Sequence, residues 1–115
     1  MSRFSLVSLT SILLFSIGLA EAQTGTIQGT VRDAGGGTVP NASVRAFDQQ
    51  KRVIARETTT NREGDFSLVP LLPGLYTIRI QATGFKAFET KNITLDQTQV
   101  LNLGSLSLDV GQLTE

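Results

Sequence analysis

The chain has 115 residues, ten Lys and Arg against ten Asp and Glu, 40% hydrophobic residues, and neither His nor Cys. That length fits one small globular domain. The balanced charge, with basic residues scattered from Arg32 to Lys91 rather than clustered, excludes nucleic acid as the expected partner. The absence of His and Cys removes the usual general base, the thiol nucleophile and the transition-metal ligands.

In chain order the first element is a leader. Met1-Ser2-Arg3 gives a short positive start, Phe4 to Leu19 is apolar or small without a charge, and Ala20-Glu21-Ala22 places small residues where a signal peptidase reads. The pattern predicts a signal-peptide helix over residues 1–22, cleaved between Ala22 and Gln23. Its uncharged run is shorter than the roughly 20 residues that cross a bilayer, and no Cys follows it to carry a lipid. The expected mature chain, 23–115, is therefore one exported domain with no membrane span, whose core must hold by packing without disulfides.

After Gln23 the dominant signal is alternation with a period of two, punctuated by Gly, Pro, Asn and Asp, which reads as short strands joined by turns. In Thr26 to Arg32, Ile27 and Val31 face one side with Gly29 between them, and Asp33-Ala34-Gly35-Gly36-Gly37 ends the strand. Val39-Pro40-Asn41-Ala42 is a turn in which Pro40 fixes φ, followed by a strand over Ser43 to Phe47. Asp48 to Arg52 is a loop tip, and Val53 to Thr60 is a strand whose three threonines suit a half-exposed pleated surface. Asn61-Arg62-Glu63-Gly64 turns it into Asp65 to Leu68, with Phe66 and Leu68 on one face.

Gly64, Pro70, Pro73 and Gly74 are expected to set the corners at which the chain leaves one strand and enters the next, and Leu72-Pro73-Gly74-Leu75 fits a type II turn, Gly74 supplying the positive φ of its third position. Tyr76, Ile78 and Ile80 then share one face of a strand that Ala82-Thr83-Gly84-Phe85 closes. Tyr76 is placed to send its ring inward and its hydroxyl back to a backbone group, as in a tyrosine corner. Two more strands follow, Ala87 to Leu95 and Val100 to Leu108, the second with Leu101 and Leu103 on one face and Leu106 and Leu108 continuing it after Gly104. Outside the leader no segment keeps helical spacing, so the mature chain is expected to be all-β. About seven short strands point to a Greek-key β-sandwich of the prealbumin or immunoglobulin kind.

The succession Gly29-Thr30-Val31, Val39 to Val44, Thr60 to Phe66, Leu72 to Ile78 and Ala82 to Phe85 resembles the carboxypeptidase regulatory-like domain. The resemblance covers nearly all of residues 25 to 110 and implies a transthyretin-like sandwich, also grouped with carbohydrate-binding-like folds. It places Gly29, Pro40, Gly64, Pro73, Gly74, Tyr76 and Gly84 at structural turns and the corner. The leader, Gly25-Thr26-Ile27-Gln28-Gly29-Thr30-Val31 and the closing Leu108-Asp109-Val110-Gly111-Gln112-Leu113-Thr114-Glu115 are similar to the N-terminal extension of Oar-like TonB-dependent outer-membrane receptors. There a plug and a barrel follow, so the implied protein is part of, or a truncated relative of, such a receptor. Asn61 stands where the family more often has Asp, and Asn makes the same side-chain turn.

Chemistry beyond this is sparse, and the expected catalytic, metal and cofactor sets are empty. Asp33, Asp48, Glu57, Glu63, Asp65, Glu89 and Asp96 could supply a carboxylate pair, but they fall at turns or on polar strand faces, where solvated charges belong. Asn61 to Asp65 echoes a calcium loop whose closing Glu is replaced by Pro70. Gly35-Gly36-Gly37 lacks the Lys-Ser/Thr and helix of a phosphate cradle. Asn41-Ala42-Ser43 and Asn92-Ile93-Thr94 match the glycosylation pattern, which arises often by chance.

A sugar platform needs exposed aromatics. The mature chain offers Phe47, Phe85 and Phe88 beyond Phe66 and Tyr76, which are assigned to the core. Phe85 and Phe88, at odd spacing, should point to opposite faces of an extended segment, leaving at most one exposed.

The leading expectation is a non-catalytic exported accessory domain of the periplasm or outer membrane, docking through edge strands or loops onto a protein partner or adjoining receptor domains. The alternative is a stand-alone carbohydrate-binding module, and a weaker third is a secreted structural or adhesion module without ligand. The leader predicts that the exported product begins at Gln23, to be read by intact-mass measurement or N-terminal sequencing. A product that retains Met1 would overturn the assignment.

Overall fold

The computed structural model describes residues 23–111. The expected leader and Ala22 of its cleavage site lie outside them, and Gln23 is the first described residue, exposed to solvent. Seven strands follow in order: β1 (Gly25–Asp33), β2 (Ser43–Asp48), β3 (Val53–Thr59), β4 (Asp65–Leu71), β5 (Gly74–Gln81), β6 (Phe88–Leu95) and β7 (Val100–Leu108). No helix occurs among the described residues.

The strands form two sheets, one in the order β4-β1-β7 and the other β3-β2-β5-β6. All pairs are antiparallel except β1 with β7, which run parallel. Because β2 and β5 are neighbours while β3 and β4 lie between them in sequence, the connectivity is of the Greek-key kind. The two sheets face each other as a sandwich.

Alternation places the core where the sequence puts its apolar residues. Ile27 and Val31 of β1, Val44 and Ala46 of β2, Phe66, Leu68 and Leu71 of β4, and Tyr76, Ile78 and Ile80 of β5 are buried, closed off by Leu95 and Leu108. Each fully buried Val, Leu, Ile or Phe contributes roughly 1.5–3 kcal/mol relative to an exposed one. With no cysteine in the chain, that packing carries the fold.

Glycine is required where strands come closest. Gly29 pairs with Phe66, and a Cβ on Gly29 would sit 3.0 Å from the Phe66 ring and 3.2 Å from the Gly104 carbonyl oxygen. Gly64 has φ +80°, its carbonyl accepts the Val31 N–H at 2.7 Å, and a Cβ there would meet the Val31 oxygen at 2.4 Å.

Four local features differ from the sequence expectation. Gly74 does not adopt positive φ; it is the first residue of β5, paired with Leu95, and the ladder holds it extended. In the separate Val39–Ala42 turn, Asn41 takes positive φ (59°) directly after Pro40. The Thr60 hydroxyl bridges that turn, accepting from the Ala42 N–H at 2.9 Å and donating to the Val39 carbonyl at 2.6 Å. Thr60 is accordingly buried rather than half-exposed, since a side chain that closes a turn between two strands cannot also face water.

Pro70, expected at a corner, lies within β4, between the Leu68–Ile27 and Leu71–Gly25 pairs where the register slips. β4 is an edge strand, so the missing N–H of Pro70 breaks no ladder there. β3 is exposed along nearly its whole length, with Val53 and Ile54 about half accessible, because it is an edge strand of the larger sheet and meets the smaller one at the margin of β4.

The two glycine environments predict different costs. At Gly84 (φ +86°) nothing lies within 4 Å of an added Cβ, so Gly84→Ala should cost about 1 kcal/mol and lower Tm by roughly 4–8 °C. Gly64→Ala must also push back the Val31 carbonyl and should cost more than about 3 kcal/mol. Calorimetry of the two variants side by side checks this, and equal losses would contradict it.

Candidate functional site

The residues singled out from the sequence are distributed around the sandwich and form no single cluster. Gly29, Pro40, Gly64 and Gly84 sit at the close approaches and turns described above. Pro73 lies in the bend between β4 and β5, where the Tyr76 hydroxyl donates to the Leu72 carbonyl at 2.6 Å with the ring fully buried. Burial first, and the Asp48 carboxylate second, push the Tyr76 phenol above its ordinary value of 10.0.

The carboxylates are occupied with local structure. Asp33 Oδ1 accepts from the Gly35 and Gly37 N–H groups at 2.9 and 2.8 Å, folding the glycine loop around itself. Asp48 Oδ1 caps the next loop by accepting from the Gln50 and Lys51 N–H groups, each at 3.0 Å. Asn61 Oδ1 accepts from the Glu63 and Asp65 N–H groups at 3.0 and 2.9 Å, so the calcium-like stretch is a side-chain turn directed at its own backbone. Among the described residues no group of three or more His, Cys, Asp or Glu side chains is placed to hold a metal ion.

The outer face of the larger sheet carries a constellation that is not readable from local sequence. Register places Glu57, Arg45, Arg79 and Glu89 in one row across β3, β2, β5 and β6. The two arginines are direct neighbours, an arrangement that costs energy when uncompensated. Each is drawn outward by a glutamate, Arg45 to Glu57 and Arg79 to Glu89 at 3.0 Å, with Lys91 also 3.7 Å from Glu89.

In the adjoining row Phe47 lies between Ile54 and Thr77. Gln49 laces this region together: its Oε1 accepts from Thr77 Oγ1 at 3.0 Å and from the Asn92 N–H at 2.8 Å, and its Nε2 donates to Asn92 Oδ1 at 3.2 Å. The result is an open depression of about 580 Å³ floored by Phe47 and Ile54 and rimmed by Arg45, Arg52, Arg79 and Lys91. Neither Phe85 nor Phe88 is exposed, within the expected limit of at most one, but the two do not take opposite faces. Both pack partly buried against the core, because Phe85 sits in the Ala82–Phe85 turn and bridges to Val110 instead of continuing an extended strand.

The sheet margins differ in how they are closed to further pairing. β3 carries Arg56 and Glu57, and its Arg56 Nε donates to the Pro70 carbonyl of β4 at 3.0 Å. β4 contains Pro70, and β6 contains Glu89, Lys91 and the left-handed Asn92. β7 has neither charge nor proline, and its irregularity is the bulge at Gly104 (φ 75°), whose N–H donates to Asn102 Oδ1 at 2.8 Å.

Two facing sheets with Greek-key crossings, an aliphatic core and a tyrosine tied back across the β4–β5 bend define a β-sandwich of the transthyretin-like kind. The carboxypeptidase regulatory-like domain model matches residues 26–109, and the chain belongs to that family.

Solved structures share the fold at low identity. A chain of a type II cohesin–X-dockerin complex from Acetivibrio cellulolyticus superposes with TM-score 0.61 at 15% identity, covering 76% of this chain and 58% of that one. A minor pilin from Streptococcus agalactiae gives TM-score 0.61 at 11% identity, covering 82% and 48%. Catechol 1,2-dioxygenase from Pseudomonas arvilla gives TM-score 0.60 at 15% identity, covering 84% and 55%. The chain thus spans about half the length of these structures. No curated protein matches the sequence.

The Tyr76 environment yields a prediction with a definite sign. A phenol whose folded pKa is raised contributes stability that is fully present below its unfolded pKa and is lost as pH rises through the folded value. Tyr76→Phe should therefore cost about 1–2 kcal/mol at neutral pH, and the gap between wild type and variant should narrow well above about pH 10. Urea unfolding at both pH values checks this; a gap independent of pH would contradict it.

Proposed function

We propose that this chain is a non-catalytic, exported accessory domain that acts through protein contacts, as the N-terminal part of a TonB-dependent outer-membrane receptor or a truncated relative of one. The observation that carries the reading is the uncharged margin of β7, which among the described strands pairs with β1 alone, on a sandwich where Asp33, Asp48 and Asn61 serve their own turns and Glu57 and Glu89 their ion pairs. A free strand edge offers alternating N–H and C=O groups to another chain, which supplies affinity without a pocket. The leader sequence supports export, with the periplasm or the outer membrane as destination. That similar folds occur in a cohesin–dockerin complex and a minor pilin is compatible with a role in assembly.

A second reading is favoured by one observation. Phe47 and Ile54 floor an exposed depression rimmed by hydrogen-bonding and cationic side chains, the arrangement in which a sugar ring stacks on an aromatic while its hydroxyls are held from the side. On this reading the domain is a carbohydrate-binding module.

Two measurements separate the readings. The coding DNA beyond Glu115 should continue, directly or after an interruption, into a plug and barrel, and deletion of residues 25–110 from such a receptor should impair its activity. Intact activity after the deletion would sink the accessory role. Calorimetric titration with soluble glycans at millimolar concentration should give no heat that Phe47→Ala abolishes; a signal lost in that variant would establish the carbohydrate reading instead.

A further inference from the structure

Among the described strands, the edge strand without protective charge or proline is β7, and its sequence has a symmetry of its own. From Leu101 to Leu108 it reads Leu-Asn-Leu-Gly-Ser-Leu-Ser-Leu. The bulge at Gly104 resets the alternation, so that Leu101, Leu103, Leu106 and Leu108 all face the core while Asn102, Gly104, Ser105 and Ser107 face solvent. The pattern of inward and outward residues is therefore the same read in either direction, with its midpoint between Gly104 and Ser105.

We propose that β7 pairs antiparallel with β7 of a second copy of this chain across a two-fold axis at that midpoint. The proposal rests on the reading that the domain works through its sheet margins, and it names the partner. A two-fold contact must be self-complementary, and this strand is: Leu101 of one copy faces Leu108 of the other, Leu103 faces Leu106, and Asn102 faces Ser107. An axis perpendicular to the sheet keeps both leucine rows on one face, whereas parallel self-pairing would put them on opposite faces. No like charges meet, because β7 contains none.

The two three-stranded sheets would become one continuous sheet. Leu101, Leu103 and Leu106, partly exposed at the margin of each core, would gain cover from the neighbouring copy. Pairing ends after Leu108, where the Asp109 carbonyl accepts the Lys86 N–H at 2.8 Å and the chain turns to the other sheet.

The chain's lack of cysteine makes the register directly testable. Asn102→Cys and Ser107→Cys both fall on exposed, outward positions away from the core; the first gives up the bond to the Gly104 N–H, and sedimentation of that variant alone checks that it still pairs. Under mild oxidation a mixture of the two variants should form a disulfide-linked pair, while each variant alone should cross-link at least about tenfold less, since like positions lie roughly 17 Å apart along the strands. Ser105→Lys, which sets two like charges beside the axis, should leave Tm unchanged at concentrations where the protein is monomeric and raise the dissociation constant seen by sedimentation at least about tenfold.

A protein that is monomeric at every concentration, or one in which the single-variant pools cross-link as well as the mixture, would overturn the pairing. Either result leaves docking onto a receptor domain to the deletion experiment, so the two ideas fail separately.

Discussion

The contact on which the smaller sheet depends is the Phe66 ring lying over Gly29, with the Gly104 carbonyl on the other side of the same glycine. That one position gathers β4, β1 and β7. A side chain at residue 29 would have to displace an aromatic ring that is itself buried, or a backbone carbonyl of the neighbouring strand. Since no disulfide can compensate, the absence of a side chain on β1 is as much a part of the core as the aliphatic residues on either side of it. The larger sheet is then held against this layer by Ile78, Ile80, Val44 and Ala46, all fully buried.

Much of this arrangement is legible in the sequence because it depends on local periodicity. Ile27 and Val31, Phe66 and Leu68, and Tyr76, Ile78 and Ile80 announce their inward faces through spacing alone, and Asn61 announces its turn through side-chain chemistry. What escapes a local reading depends on partners distant in sequence. Thr60 looks like its exposed neighbours until the turn it closes is brought beside it. Gly74 looks like the third residue of a type II turn, but the pairing of β5 with β6 draws it into the ladder. Pro70 looks like a corner residue, but an edge strand accommodates proline where a central one would not.

The same distinction applies to the candidate sites. The row of Glu57, Arg45, Arg79 and Glu89 exists only through the β3-β2-β5-β6 register, and no spacing rule along the chain would assemble it. The exposure of Phe47 likewise follows from which face of β2 is turned outward. By contrast, the unprotected character of β7 is written in its composition, although its place at a margin is a property of the topology. The candidate surfaces and edges of this small sandwich are thus each set by long-range pairing, while the interior serves architecture.

β3 has a different relation to the rest. None of its side chains enters the core; it is held by its ladder to β2, by the Glu57 ion pair and by the link from Arg56 to Pro70. Its amides should therefore exchange with deuterium well before those of β1, because opening this margin uncovers almost no apolar surface. An opening that starts at this margin would take Glu57 away from the adjacent pair of guanidinium groups. Transient detachment of a peripheral strand thereby changes the electrostatic character of the face that remains.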